Sequence, residues 1–166
     1  DFKKNLWIKQ LRVYQWLKNL LVFVPLLVSG EYLNSQAVLY SVVAFFCFCF
    51  LASATYILND LFDLEADRNH KRKRYRPLAS GEISISSGIV AAFTLFTISF
   101  VAAYLLNDKG FLFVLISYLV ITLLYSLKIK QYFGLDVITL SSLYTIRILA
   151  GTSVLDLVIS FWLFSF

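Results

Sequence analysis

Methionine is absent from this chain of 166 residues, histidine occurs once, and cysteine and proline occur twice each. The lone histidine, His70, argues against a triad and against a histidine-rich metal site within these residues. Cys47 and Cys49 sit inside the apolar string Phe46-Cys-Phe-Cys-Phe50, on different sides of a helix and with no histidine or acid nearby in sequence. They read as small apolar packing residues, not as a disulfide or a metal pair. Charge is also scarce, at 15% of residues against 60% hydrophobic, and the mean hydropathy is +0.76. An ordinary water-soluble domain is thereby excluded. The chain starts at Asp1 and stops at Phe166, inside an apolar run that begins at Leu157. It reads as an interior segment of a longer polypeptide, cut at both ends. No secretory leader is expected, because Arg12 to Asn19 precedes the first apolar stretch and no small-residue cleavage pattern follows it.

What the sequence has in quantity is apolar runs of membrane-spanning length, which predict an all-α polytopic membrane protein, a transmembrane helical bundle. The first span, about Trp16 to Ser29, is weak: Lys18 and Asn19 lie near its start, Pro25 interrupts it and Gly30 closes it. Stronger spans are expected over Val38–Leu58, Ile89–Leu106, Phe111–Leu127 and Leu135–Leu155, and a sixth begins at Leu157. Asn107 to Gly110 reads as a tight turn. Basic residues fall on alternate connections. Lys3, Lys4, Lys9, Arg12 and Lys18 flank the first span, six cations lie between Arg68 and Arg76, and Lys128 and Lys130 follow the fourth span. The positive-inside bias places these segments in the cytoplasm, and the expected location is a bacterial inner membrane. Nucleic acid is not an expected partner, because the basic block lies between membrane spans.

Between the second and third spans stands the stretch Asn59-Asp60-Leu-Phe-Asp63-Leu-Glu-Ala-Asp67-Arg68. On a continuous helix, Asp60, Asp63 and Asp67 fall within about 60° of arc, with Glu65 roughly opposite. Like charges on one face require an offset. One answer is Mg²⁺, which takes oxygen ligands, keeps several waters and is commonly held by one or two carboxylates plus substrate phosphates. The other is pairing of a solvated helix end with the basic run that follows. In that run Lys71 lies near the acid face if the helix continues, whereas Lys73 and Arg76 reach it by folding back from the loop. Arg147, deep in the fifth span, is expected to face the bundle interior or a wet cavity and to meet substrate phosphate or an acid such as Asp136. Lys18 and Asn19 are substrate-binding candidates at the end of the first span, though snorkelling alone also accounts for Lys18.

These residues resemble the UbiA superfamily of intramembrane prenyltransferases, whose first signature is matched by Asn59, Asp60, Asp63 and Asp67. The longer string from Asn59 to Arg76-Pro-Leu-Ala-Ser-Gly81 is similar to the branch of decaprenyl-phosphate phosphoribosyltransferases. So are Arg12-Val-Tyr-Gln-Trp-Leu-Lys-Asn19, Tyr125-Ser-Leu-Lys128 and Arg147-Ile-Leu-Ala-Gly151. The resemblance implies about nine spans around a cavity open to cytoplasm and lipid, five of them complete here with part of a sixth. Residues 1–166 are then the N-terminal part of one UbiA-like domain, and a second Asp motif lies between the sixth and seventh spans, beyond this sequence. This segment alone is expected to be inactive. The implied site comprises Asp60, Asp63 and Asp67 as catalytic and Mg²⁺-binding residues. Lys18, Asn19, Asn59, Lys71, Lys73, Arg76, Tyr125, Lys128 and Arg147 are its substrate-binding residues. The implied partners are membrane lipid, a polyprenyl phosphate or diphosphate, and a phosphorylated donor or an aromatic acceptor. Transfer of phosphoribosyl from phosphoribosyl diphosphate to a polyprenyl phosphate is the favoured reaction. The alternative moves a polyprenyl group from its diphosphate to an aromatic acceptor. A non-enzymatic carrier is a third reading, against which stands the lack of detectable repeats and broken mid-membrane helices.

Overall fold

The computed structural model describes residues 2–127 and 134–157. Every regular element among them is helical. The elements are α1 (Phe2–Gln10), a 3-10 segment (Val13–Phe23) continuing into α2 (Val24–Ser29), α3 (Ser35–Phe62), α4 (Leu64–Asn69), α5 (Ile85–Leu105), α6 (Lys109–Leu127) and α7 (Leu135–Val154). Short 3-10 turns at Glu31–Leu33 and Lys73–Tyr75 join them. Local chemistry sets the boundaries. Asn34 caps α3 by accepting from the amides of Gln36 and Ala37 at 3.1 and 3.4 Å, and Ser84 caps α5 through the Ser87 amide.

Four helices, α3, α5, α6 and α7, are long and apolar enough to cross a bilayer. The expected first span is a shorter apolar helix, Val13–Ser29, that begins three residues earlier than the sequence suggests. Its 3-10 stretch of eleven residues explains how it compensates. At about 2.0 Å per residue there and about 1.5 Å through the six residues of α2, it extends about 31 Å, close to a hydrocarbon core of about 30 Å. The sixth expected span lies outside the described residues, apart from Leu157. Helix α1 was not anticipated; it packs Leu6 and Trp7 against Ile57, Leu78 and Ile83.

The core gathers on α3, which packs against α5, the first spanning segment, α7 and α6. Phe48 stacks edge-on to Tyr118 at 5.0 Å and lies 6.2 Å from Phe111. Helix α5 meets α3 with a stripe of small residues, Gly88, Ala92, Ser99 and Ala103, and turns Ile89, Val90, Phe93, Val101 and Tyr104 outward. Two apolar helices gain little from mutual burial in lipid, so close backbone approach and satisfied polar groups carry the contact. Ser99 provides both, donating from its hydroxyl to the Cys47 carbonyl at 2.8 Å. Helix α7 approaches the first spanning segment still more tightly. A Cβ on Gly151 would collide with the Val22 carbonyl oxygen and press on Pro25.

Candidate functional site

The acidic motif breaks the helix that carries it. Helix α3 ends at Phe62, Asp63 stands outside helical geometry at φ −88°, ψ 9°, and α4 begins at Leu64. The continuous face of three carboxylates expected from the spacing is therefore not formed. The kink turns Asp60 and Asp67 together into the protein and leaves Asp63 on the wall of a pocket. Glu65 is exposed, as the spacing predicts.

Asp60 and Asp67 are buried and share one guanidinium. Arg76 folds back from the loop and places Nη1 3.0 Å from Asp60 Oδ1 and 2.6 Å from Asp67 Oδ2. Arg12 Nη2 donates to Asp60 Oδ1 at 2.7 Å, and Gln10 Nε2 donates to Asp60 Oδ2 at 3.0 Å. Arg12 holds this pose from a left-handed backbone, φ 50°, at the junction of α1 and the 3-10 segment. A non-glycine residue there stores strain on the order of 1 kcal/mol, here offset by a charge-assisted hydrogen bond. Pairing of the acids with the basic run is thus realised, through Arg76 and, at 3.8 Å from Asp67 Oδ1, through Lys73.

Beside this cluster opens a pocket of about 290 Å³. Three helices form most of its wall. Helix α3 supplies Thr55, Tyr56 and Asn59, and α6 supplies Tyr118, Thr122, Tyr125 and Ser126. Helix α7 supplies Leu143, Tyr144 and Arg147. The α6 residues have helical spacing, so that helix presents one polar face to the pocket, whereas α7 lines it with Leu140 and Leu143 beside Tyr144 and Arg147. Arg12, Lys18, Lys73, Arg76 and Arg147 border the pocket with a single acid, Asp63. The balance favours an anion.

Arg147 is 5% exposed. Its Nε donates to Asn19 Oδ1 at 2.7 Å, Nη1 donates to the Leu143 carbonyl, and Nη2 lies 3.4 Å from the Tyr118 hydroxyl. The rings of Tyr118 and Tyr144 lie 5.1 and 5.7 Å from the guanidinium carbon, within cation–π range. Among the described residues no carboxylate lies within ion-pair distance of Arg147.

The sequence candidates therefore divide. Lys18, Asn59, Asp63, Lys73, Arg76, Tyr125 and Arg147 meet at the pocket. Asp60, Asp67 and Asn19 are buried behind it. Lys71 is exposed in the bend after α4, because the helix stops at Asn69 rather than continuing. Lys128 lies outside the described residues, as does the side chain of Asp136. Sequence reasoning missed Gln10, Arg12 as a site residue, and the face of α6 made by Tyr118, Thr122 and Ser126. Polar residues spaced by three and four in an apolar span were the available signal for that face.

The donors suit Mg²⁺ in kind. Among the described residues no three His, Cys, Asp or Glu side chains form a ready cage. Mg²⁺ is commonly held by one or two carboxylates and completed by substrate oxygens and water. Asp67 Oδ1 is buried without a hydrogen-bond partner, an oxygen left for such a ligand.

The sequence profile of the UbiA prenyltransferase family matches residues 20–166. The chain is similar to the uncharacterized protein y4nM of Sinorhizobium fredii, 43% identical over 96% of this chain and 31% of that protein. It is 35% identical to the decaprenyl-phosphate phosphoribosyltransferase of Corynebacterium glutamicum, over 93% of this chain and 48% of that enzyme. Its fold is similar to that of a UbiA homolog from Archaeoglobus fulgidus bound to DMAPP and Mg²⁺. The TM-score is 0.77 over 96% of this chain and 57% of that one, at 20% identity. The chain spans about a third to a half of the length of the two curated relatives.

Proposed function

The chain belongs to the UbiA prenyltransferase family of integral membrane proteins, and on that premise we propose a Mg²⁺-dependent transferase acting on a polyprenyl substrate. The reaction moves phosphoribosyl from phosphoribosyl diphosphate to a polyprenyl phosphate, and this chain forms the N-terminal part of the membrane domain. The observation that carries the reading is the pocket bordered by Arg12, Lys18, Lys73, Arg76 and Arg147 against one acid. A donor with a diphosphate at one end and a 5-phosphate at the other calls for that many cations from separate elements. The activity of the Corynebacterium relative supports the same choice. By the bias of its basic flanks, the pocket opens to the cytoplasm.

Asp63 with Asn59, and Asp67 once Arg76 turns to the substrate, would hold Mg²⁺, which when bound neutralises charge on a leaving diphosphate. Arg76 and Lys73 grip the diphosphate from the loop. Arg147 reaches the same diphosphate from the bundle side, and Lys18 takes the 5-phosphate. Held between them, the sugar is oriented so that an acceptor phosphate oxygen forms its bond to C1 as the C1–oxygen bond to diphosphate breaks. The electron pair leaves with the diphosphate. Fixed guanidinium groups in a site of low dielectric stabilise that charge more than water does.

One observation favours the second reading. The Tyr56, Tyr125 and Tyr144 rings at the pocket offer π faces to an allylic cation formed from a polyprenyl diphosphate. The two reactions are separated by giving the full-length protein, in detergent with Mg²⁺, radiolabelled phosphoribosyl diphosphate and a polyprenyl phosphate, beside an Asp63→Asn control. Lipid-extractable label that disappears in the control is expected. Turnover of a polyprenyl diphosphate with an aromatic acceptor, and no labelled lipid, would replace the phosphoribosyl scheme by the prenyl one.

A further inference from the structure

A guanidinium deep in a helical bundle is costly unless its donors are met, and the usual means is a carboxylate. Arg147 is met instead by neutral groups: an asparagine oxygen, a backbone carbonyl, a tyrosine hydroxyl and two aromatic rings. Each of its three nitrogens meets one of these partners, so among the described residues two of its five N–H groups and its whole charge are left for a ligand. The shortest of these side-chain contacts, at 2.7 Å, comes from Asn19. Asn19 itself is 1% exposed and is not part of the pocket wall, so a ligand in the pocket meets Arg147 rather than Asn19.

The orientation of the Asn19 amide is also set. Its Nδ2 donates to Cys49 Sγ at 3.3 Å, across from α3. With the amide turned over, an NH₂ would face the Arg147 N–H, donor against donor. Three elements thus converge: α3 holds the amide, the first spanning segment carries it, and α7 presents the guanidinium. Aspartate at position 19 would have the same shape and would cancel the charge. Asparagine aims it without doing so.

We propose that Asn19 is a positioning residue, locked by Cys49, that fixes the Arg147 guanidinium at the pocket while leaving its full charge for a phosphate group of the substrate. The inference rests on the pocket being the phosphate site, so the probe is inorganic diphosphate with Mg²⁺, which both transfer schemes share. Binding is measured by calorimetry on the full-length protein in detergent, with melting curves in the absence of diphosphate.

Asn19→Asp is expected to weaken diphosphate binding on the order of tenfold, the worth of one charge-assisted contact, without lowering the melting temperature of the unliganded protein. Cys49→Ala, which removes only the lock, gives a smaller loss in the same direction. In an Arg147→Ala background, Asn19→Ala adds no further loss, because its effect passes through the missing guanidinium. Equal binding by wild type and Asn19→Asp would overturn the inference. So would losses from Asn19→Ala and Arg147→Ala that add, since Asn19 would then touch the ligand itself. A wild-type protein that binds no diphosphate would remove the pocket reading and this inference together, an outcome distinct from the other two.

Discussion

Two sets of buried charge lie on either side of one pocket, and they are treated in opposite ways. Asp60 and Asp67 are surrounded by cations, with Arg12, Arg76 and Lys73 at 2.6 to 3.8 Å and Gln10 on the remaining Asp60 oxygen. Arg147 is surrounded by dipoles and rings, with no acid within ion-pair distance among the described residues. A compensated cluster is stable as it stands and opens only when something better replaces Arg76. An uncompensated guanidinium is already poised for an anion. The acids behave as a latched half of the site, and Arg147 as its open half.

The sharpest way to break the contrast is Arg147→Met. Removing the preorganised charge is expected to lower transfer kcat/KM on the order of 100-fold or more. The melting temperature should hold or rise, because a buried unpaired charge is lost. A large fall in melting temperature with intact transfer would show that the residue serves the fold instead. Arg76→Ala tests the latched half and should lower stability as well as transfer. It leaves two buried carboxylates without their shared partner, at a cost of about 3 kcal/mol in Mg²⁺-free detergent. Added Mg²⁺ should recover part of that loss in a thermal melt. No metal-dependent recovery would argue that Arg76 holds the acids permanently.

A third change acts through the scaffold. Gly151→Ala places a methyl against the Val22 carbonyl and Pro25, forcing α7 away from the first spanning segment. The overpacking should cost about 1–3 kcal/mol and loosen the contact between Arg147 and Asn19, seen as lower stability together with weaker diphosphate binding. The smallest effect is expected from Glu65→Gln, two residues from both Asp63 and Asp67 yet turned to solvent. Its stability should stay within about 0.5 kcal/mol of wild type, with transfer unchanged. A strong effect there would mean that the acid cluster extends round α4.

Much of the scaffold was legible because each span is written locally. The apolar runs of α3, α5, α6 and α7 are longer than any alternative use in a small chain allows, although α3 and α5 begin three and four residues before those runs, at the caps Asn34 and Ser84. Less legible was the first span, whose 3-10 geometry supplies length that its residue count does not. Helix α1 was missed because a sequence with Lys3, Lys4 and Lys9 reads as a charged flank; only contact with Ile57, Leu78 and Ile83 gives its apolar residues a face to bury. In the site, Asp63, Asn59, Arg76 and Arg147, singled out from separate parts of the sequence, line one pocket. The break at Asp63 was not legible, since a spacing of three and four describes a helix only while the helix continues.

The sequence by itself determined that this is a helical membrane protein, which runs are long and apolar enough to cross a bilayer, and that acids and cations crowd the end of α3. Hydropathy and residue spacing are properties of contiguous chain, so they survive without a fold. Which charge meets which was decided by the tertiary structure alone. Arg76 reaches Asp60 across 16 residues, Arg12 reaches it across 48, and Arg147 reaches Asn19 across 128. At such separations, only the packing of α7 on the first spanning segment, and the return of the loop onto α3, could select the partners.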